Sequence, residues 1–396
     1  MAHIVIVGIG TRGDVVPLAA LGAALAAGGD RVTVVTHASL RAHVDEAGLG
    51  FAALPVEFGA GRPLSSARFA RQLAARWPDV GEAVLTASRD ADLLLLSPMG
   101  WLGYHVAQAT GARSMGVFLQ PLEATVAFPP PLLTTRSLGG WGNRAAAHAF
   151  RVLGQAPFAR ANAAFRRRLG LPPLGSAAMF RQADEEHWPV LYGFSPSVVP
   201  APPDWPPYRP ITGYWWPRVT GGLSPGLRRF LDDGDPPVFI GFGSLDAPRL
   251  RAVVEETAAR LGRRVVVQTG AAGLTAGHRN VLVVGDEPHE LLFPRTAMVV
   301  HHGGAGTTAA ALRAGVPSVI VPFTADQPFW AHRAAALGAA PAPIPLRRAT
   351  PRKLRDAIAV ADSYRTGAAA LSRSLAAEDG IAAAVAEIRR EMLPVQ

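Results

Sequence analysis

Short apolar runs rich in Val, Ile and Leu alternate with Ala-, Leu- and Arg-rich stretches from one end of the chain to the other. Residues 3–7, 32–36, 93–97 and 113–118 form one series of such runs, and residues 238–241, 264–268, 281–284, 298–300 and 318–321 a second. A strand that is apolar along its whole length is buried on both faces, so each series predicts a parallel sheet covered by helices on both sides. The expected fold class is therefore α/β, with two Rossmann-like units. Between the two series lie Pro200, Pro202, Pro203, Pro206, Pro207 and Pro217. Proline at that density has no place inside a sheet or helix. The expected first domain is residues 1–210 and the second 218–378, with a tail of residues 379–396 whose residues 382–390 read as a last helix. The run Phe128-Pro129-Pro130-Pro131 follows a predicted strand end and reads as a loop.

With 396 residues, 49% of them apolar, the chain can bury a core in each of two domains. Mean hydropathy is +0.18, yet no run approaches the roughly 18–20 apolar residues that span a bilayer. The opening Met1-Ala2-His3-Ile4-Val5-Ile6-Val7-Gly8 has no basic region ahead of its apolar stretch, and reads as a first strand rather than a secretion signal. The absence of Cys excludes disulfide and thiolate chemistry and fits a cytoplasmic setting. The formal charge of +9 comes almost entirely from Arg. Its clusters, such as Arg166-Arg167-Arg168, are dispersed among Ala-rich helical segments and read as solvated helix faces. No nucleic acid, no stable membrane insertion and no obligate protein partner is expected.

Two motifs point away from the chemistry the rest of the chain supports. Gly8-Ile9-Gly10-Thr11-Arg12-Gly13 has the spacing of a dinucleotide fingerprint, on the right strand and before a helix. The next strand runs through Val34-Val35 into Thr36-His37 without the acidic residue that holds a ribose, although Arg41 leaves a 2′-phosphate open. The glycines more simply permit a tight strand-to-helix turn. Asp233-Gly234-Asp235 offers a DxD, but it precedes Pro236-Pro237 and a strand, as a surface turn does.

The informative segment is His301-His302-Gly303-Gly304-Ala305-Gly306-Thr307-Thr308, where a strand, a glycine-rich turn and a helix start converge. Consecutive N–H groups at a helix start can hold a phosphate, and His302 and the threonines add donors. Gly241-Phe242-Gly243-Ser244 follows the first strand of the second series, and Ser244 can meet the same ligand or cap a helix. Asp326-Gln327 sets a carboxylate beside an amide, a pair that can bind neighbouring hydroxyls of a hexose, although Asp326 can also cap the helix that follows. Asp14 lies where the first strand yields to a helix expected over residues 17–27. It can serve as a first-turn acid favoured by the helix dipole, or as a base for a hydroxyl proton. Arg12 can reach Asp14 or a diphosphate across the cleft.

The segment at residues 301–308 with its downstream Asp326-Gln327 closely resembles the donor-site signature of nucleotide-sugar glycosyltransferases of the two-domain, inverting type, the UDP-glycosyltransferase superfamily of GT-B fold. Residues 10–17 resemble the opening of sterol 3-beta-glucosyltransferases and glycopeptide-antibiotic glycosyltransferases, and by that resemblance Asp14 is the catalytic base. Plant and macrolide relatives use a His–Asp dyad instead, which does not carry over because no His lies between His3 and His37. Residues 191–200, Trp205-Pro206 and residues 212–215 are similar to the sterol subgroup, and residues 284–292 to the segment lining the nucleoside pocket, which implies Gln268 and Glu287 there.

The resemblance implies two sheets facing across a deep cleft, an acceptor-binding first domain, a donor-binding second domain and a tail that returns to the first. It implies transfer of a hexose, glucose from UDP-glucose above all, with inversion onto a hydroxyl of a hydrophobic polycyclic acceptor such as a sterol. No cofactor and no metal is expected. Arg12, Ser244, His302, Gly304, Gly306 and Thr307 would meet the charge of the leaving diphosphate, and Asp326 and Gln327 would hold the sugar. Trp101, Phe118 and Phe128 are candidates for the acceptor pocket, with Trp101 and Phe118 equally consistent with ordinary core. One alternative is an antibiotic-tailoring enzyme using a dTDP- or UDP-sugar on a polyketide or glycopeptide aglycone. Another is a non-catalytic nucleotide-sugar- or lipid-binding protein.

Overall fold

The computed structural model describes residues 1–57, 66–243, 248–268 and 280–393. Strands β1 (His3–Val7), β2 (Arg31–His37), β3 (Gly50–Leu54), β4 (Leu93–Leu96), β5 (Arg113–Phe118) and β6 (Val190–Tyr192) form a six-stranded sheet in the order β3-β2-β1-β4-β5-β6. Strands β7 (Val238–Gly241), β8 (Val265–Gln268), β9 (Val281–Val284), β10 (Met298–His301) and β11 (Ser318–Ile320) form a five-stranded sheet in the order β11-β10-β7-β8-β9. Every pairing in both sheets is parallel. These are two Rossmann-like domains in a GT-B arrangement.

The continuous apolar runs follow from burial on both sheet faces. Ile4 and Ile6 of β1 pack on one side against Leu18, Leu21 and Leu25 of helix Arg12–Ala27. Val5 and Val7 face the other way, against Trp77, Val80 and Val84. In the second sheet Val238 and Ile240 pack with Leu250, Val254 and Ile358, and Phe239 on the opposite face packs with Leu227, Phe293 and Ala311.

Strand order reverses beside β1 in the first sheet and beside β7 in the second. Ligands of such sheets lie beyond the carboxyl ends of the strands at that reversal. The turns after β1 and β4, and those after β7 and β10, are therefore the ones positioned for chemistry.

Helix Gly380–Met392, longer at both ends than expected, crosses back to the first domain. Its Ala384 and Ile388 complete the core over Leu18, Leu21 and Leu25, and Arg389 pairs with Asp30 at 2.6 Å. A side chain at Gly380 would meet the Tyr214 carbonyl oxygen at 2.5 Å, so glycine is needed for that docking. Residues 193–217 carry no helix or strand beyond the bridge between Tyr192 and Ile211. They run along the outer edge of β6, with the Tyr192 N–H donating to the Pro210 carbonyl at 3.0 Å and the Thr212 N–H to that of Tyr192 at 2.9 Å. Tyr192, Phe194, Val198 and Tyr214 then share a core with Ala309, Leu312, Phe329 and Trp330 of the second domain. Among the described residues, no helix is long and apolar enough to cross a membrane.

Candidate active site

The first helix begins at Arg12, ahead of the expected residue 17, so Asp14 sits in its first turn with Pro17 inside the helix. The Thr11 N–H and hydroxyl both donate to Asp14 Oδ2, at 2.8 and 2.9 Å. That arrangement folds the carboxylate back over Gly10, where a Cβ would meet Oδ2 at 2.5 Å. The turn is held from beneath by the Gly10 N–H donating to His37 Nε2 at 3.2 Å and the Ile9 N–H donating to Ser97 Oγ at 3.1 Å. Burial lowers the His37 pKa, which keeps the ring neutral and able to accept that bond. Asp14 Oδ1 is the oxygen left over, and Gln120, just past β5, donates its amide Nε2 to it at 3.4 Å.

Asp326 approaches from the second domain. Burial, joined by the negative charge of Asp14, raises its pKa to about 6, while the hydrogen bond from Trp330 pulls the other way. The Trp330 indole N–H donates to its Oδ2 at 2.8 Å. Asp326 is thus the N-terminal residue of helix Gln327–Ala336 and also part of the cleft. The amide oxygen of neighbouring Gln327 accepts from the N–H groups of Phe323 at 2.8 Å and Thr324 at 3.2 Å, which leaves its NH2 group for a ligand.

A carboxyl that protonates more readily folded than unfolded adds stability below about pH 4, and that contribution is lost as pH rises through about 6. Asp326→Asn is therefore expected to raise the melting temperature at pH 8, by about 2–4 °C for each kcal/mol relieved, and to give no gain near pH 4. An equal gain at both pH values would contradict this electrostatic origin.

His302 follows β10 and lies beside Gly304 and Gly243; a Cβ at Gly304 would meet its Nε2 at 2.5 Å. Burial lowers its pKa to about 4, so the ring is neutral at pH 7, and its buried Nδ1 has no hydrogen-bond partner among the described residues. Helix Ala305–Ala314 starts immediately beyond, with Gly304 as its N-cap. Thr308 N–H closes the first helical bond to the Gly304 carbonyl at 2.9 Å. The N–H groups of Ala305, Gly306 and Thr307 precede that first bond and form the open end of the helix. Thr308 is buried in the core and has no such exposure.

Several expected site residues take unexpected positions. Arg12 forms an ion pair across the cleft with Asp286, whose other oxygen accepts from Gln268 Nε2 at 3.2 Å. Glu287 is buried and accepts from the Ser224 N–H at 3.0 Å, at the start of helix Pro225–Asp232. Trp101 is core: it is 7% exposed, with its ring 5.4 Å from Trp77 and 6.2 Å from Phe158. Phe118 is half-buried, edge-on to Tyr192 at 5.9 Å. Phe128 meets Phe329 of the second domain at 5.5 Å, so its loop bridges the two halves. Ser244 lies outside the described residues. Asp233 and Asp235 are exposed ahead of β7, at the end of the sheet opposite His302. Among the described residues no group of three or more His, Cys, Asp or Glu is arranged to hold a metal ion.

Gln120 and Asp286 were absent from the sequence candidates. Gln120 had one available signal, its position at the carboxyl end of a predicted strand, where site residues of this fold collect. Asp286 lies in the segment at residues 284–292 that resembles a nucleoside pocket, but only the folded chain pairs it with Arg12.

A cleft between two Rossmann-like domains, with a carboxylate on one wall and an open helix start on the other, defines a transferase that uses a nucleotide-activated group. Residues 4–113 match the glycosyltransferase family 28 N-terminal domain, and residues 253–392 match the erythromycin biosynthesis protein CIII-like C-terminal domain. The chain is 35% identical to the O-mycaminosyltylonolide 6-deoxyallosyltransferase of Streptomyces fradiae, over 96% of this chain and 95% of that one. It is 32% identical to the sterol 3-beta-glucosyltransferase UGT80B1 of Arabidopsis thaliana, over 99% of this chain and 68% of that one. It spans less of other sterol glucosyltransferases, 64% of a second from Arabidopsis thaliana and 29% of one from Emericella nidulans. The solved glycosyltransferase of kitacinnamycin has the same fold, with a TM-score of 0.74 at 21% identity, covering 99% of both chains. The chain belongs to the GT-B glycosyltransferases, the family of nucleotide-sugar-dependent enzymes that includes these sterol and antibiotic-tailoring members.

Proposed function

We propose that the protein transfers a sugar from a nucleoside diphosphate to a hydroxyl of an apolar, polyketide-type aglycone, with inversion at C1. The observation that carries this reading is the Asp14 carboxylate at the carboxyl end of β1, its Oδ2 held by Thr11 and its Oδ1 unused by that turn, in a chain that aligns over nearly its whole length with a glycosyltransferase. In this mechanism Asp14 Oδ1 takes the acceptor proton as the acceptor oxygen forms its bond to C1. The bond from C1 to the diphosphate breaks on the opposite face, and the departing charge is met by oriented donors. Those donors are the N–H groups of Ala305, Gly306 and Thr307 after Gly304, the Thr307 hydroxyl, neutral His302 and, on sequence grounds, Ser244. Asp326 and the free NH2 of Gln327 hold sugar hydroxyls. Arg12, Asp286 and Gln268 border the nucleoside side. Residues 1–210 would bind acceptor, residues 218–378 donor, and residues 379–396 would tie the two together.

An apolar acceptor is supported by the loop that carries Phe128, which continues into exposed Leu132, Leu133, Leu138 and an 85% exposed Trp141. A polyketide is supported over a sterol by the match to the Streptomyces fradiae enzyme across nearly the whole of both chains. Transfer of glucose from UDP-glucose to a sterol is the second reading, favoured by the match to the plant enzyme.

The test is a transfer assay pairing UDP- and dTDP-sugars with macrolide aglycones, glycopeptide aglycones and hydroxysteroids, with and without EDTA. Transfer to a macrolide-type aglycone, unchanged by EDTA, is the expected result. Transfer to steroids alone would move the assignment to the second reading, and loss of activity restored by Mg²⁺ would contradict the metal-free mechanism. Donor binding without transfer to any acceptor would favour a binding protein.

A further inference from the structure

The loop that follows β5 has no element of its own: residues 119–139 contain neither helix nor strand, yet they carry half-buried Phe128 and exposed Leu132 and Leu133. Loops longer than about 12–15 residues without structure of their own are uncommon in compact domains and are usually functional. This one is held by the linker between the domains. Asp204 Oδ1 accepts from the Thr125 hydroxyl at 2.6 Å, and its Oδ2 accepts from the Val126 N–H at 2.9 Å. The same hydroxyl accepts from the Ala127 N–H at 3.0 Å, and Thr125 is buried. Further along the linker, buried Arg209 forms ion pairs with Glu123 of the loop and, at 2.7 Å, with Asp184. The linker thus supplies a carboxylate for the loop's donors and a guanidinium for its carboxylate, both just ahead of Phe128. Asn143 closes the loop on itself, donating to the Val126 carbonyl at 3.1 Å and accepting from the Leu138 N–H at 2.8 Å.

The linker is also fixed to the second domain. The Val198 carbonyl accepts from Arg333 Nε at 2.9 Å, and the Ser195 and Ser197 hydroxyls each donate to Glu378 at 2.7 Å. Arg333 and Phe329 both belong to the helix that begins at Gln327, and Phe329 meets Phe128 at 5.5 Å. On its other side Phe128 lies edge-on to Trp205 at 6.4 Å, next to Asp204, and Trp205 stacks on Tyr192 of β6 at 4.7 Å. We propose that Asp204 is a positioning residue for the sugar acceptor: by tying Thr125 and Val126 to the linker, it sets where Phe128 and the apolar loop behind it stand over the helix that begins at Gln327. The proposal rests on the transfer reading above and deepens it, because it gives the linker a part in choosing the acceptor. A loop in its binding-competent place only part of the time weakens binding by that fraction, and losing hydrogen bonds to a charged group can lower the fraction about tenfold.

Three substitutions separate positioning from packing. Asp204→Ala removes both bonds to the loop, Thr125→Val removes the hydroxyl and keeps the shape, and Thr125→Ser keeps the hydroxyl. The acceptor is whichever of erythronolide B, vancomycin aglycone and cholesterol the unaltered protein glycosylates, so the test does not depend on the class of acceptor. The first two variants are expected to raise its KM about 10-fold while the KM for the sugar nucleotide stays within about twofold, and Thr125→Ser should match the unaltered protein. UDP binding by calorimetry checks folding. An unaltered acceptor KM in Asp204→Ala would overturn the proposal. So would an equal rise in both KM values, or a Thr125→Ser protein as impaired as Thr125→Val, since either would reduce the tether to packing. A second measurement is independent of activity: in Asp204→Ala the Val126 and Ala127 amides should exchange with deuterium about 10-fold faster, with those of β5 unchanged. Unaltered exchange would overturn the tether. If the unaltered protein glycosylates none of the three compounds, the transfer reading fails while the tether still stands or falls on this exchange.

Discussion

Replacing Asp14 with Asn is expected to lower sugar transfer by about 10²–10⁴-fold, the usual worth of a general base, while leaving nucleotide binding intact. The change is nearly isosteric, and either head-group oxygen or nitrogen can still lie over Gly10. What it removes is the ability to take a proton at the position of Oδ1, the oxygen that Thr11 leaves unused. His37, whose ring lies under the same turn, does not substitute. Its Nε2 accepts from the Gly10 N–H and its Nδ1 bonds the Val56 carbonyl at 2.7 Å, so both nitrogens are engaged in holding the turn. Turnover and UDP affinity measured on the same preparation check this. A variant that keeps more than about a tenth of the original rate would remove Asp14 from the role.

The second large effect is expected from His302→Ala, with a fall in kcat of about 10²–10³-fold, as for loss of one donor to a developing anion, accompanied by weaker UDP binding. Burial leaves the ring neutral, so its contribution is an oriented N–H and not a positive charge. Its ring lies beside Gly304 at the open start of helix Ala305–Ala314, and its buried Nδ1 has no hydrogen-bond partner among the described residues. With the pKa lowered to about 4, UDP affinity should carry no dependence on this histidine between pH 6 and 9. Calorimetric titration of UDP into both proteins is the check. Equal affinities would make His302 a packing residue against Phe323, with which it lies nearly parallel at 6.4 Å between ring centres.

Much of this architecture is readable in the chain because a parallel sheet covered on both faces writes itself as unbroken Val, Ile and Leu. Residues 4–7 of β1, all of β4 and residues 265–267 of β8 are of that kind. Strand β3, Gly50-Phe51-Ala52-Ala53-Leu54, is not: it lies at the edge of its sheet and is built largely from small residues without β-branches. Strand β6 is three residues long and follows Pro189, so its apolar signal is too short to stand apart from the linker.

The glycine-rich turn at residues 301–308 was legible as a strand-to-helix junction because it lies between an apolar run and an Ala-rich helical stretch. Trp101 was not, since one aromatic after a strand looks the same whether it turns to the cleft or joins Trp77 and Phe158 in the core. Contacts across the cleft were beyond reach for a different reason. Arg12 and Asp286, or Phe128 and Phe329, are brought together only by the relative placement of two sheets, and no local pattern encodes it. Glu287 illustrates the same limit locally, because its partner is a backbone N–H at Ser224 that has no sequence signature.

The central claim is that Asp14 activates an acceptor oxygen on one wall of the cleft while the diphosphate leaves toward the helix start on the other. That geometry permits attack only from the face opposite the leaving group. The most direct test is the anomeric configuration of the product, read by proton NMR after transfer from an α-linked sugar nucleotide such as UDP-glucose. A β-linked product, with the large diaxial coupling at its anomeric proton, is the predicted result. An α-linked product would mean retention of configuration, and would contradict in-line displacement by a hydroxyl that Asp14 deprotonates.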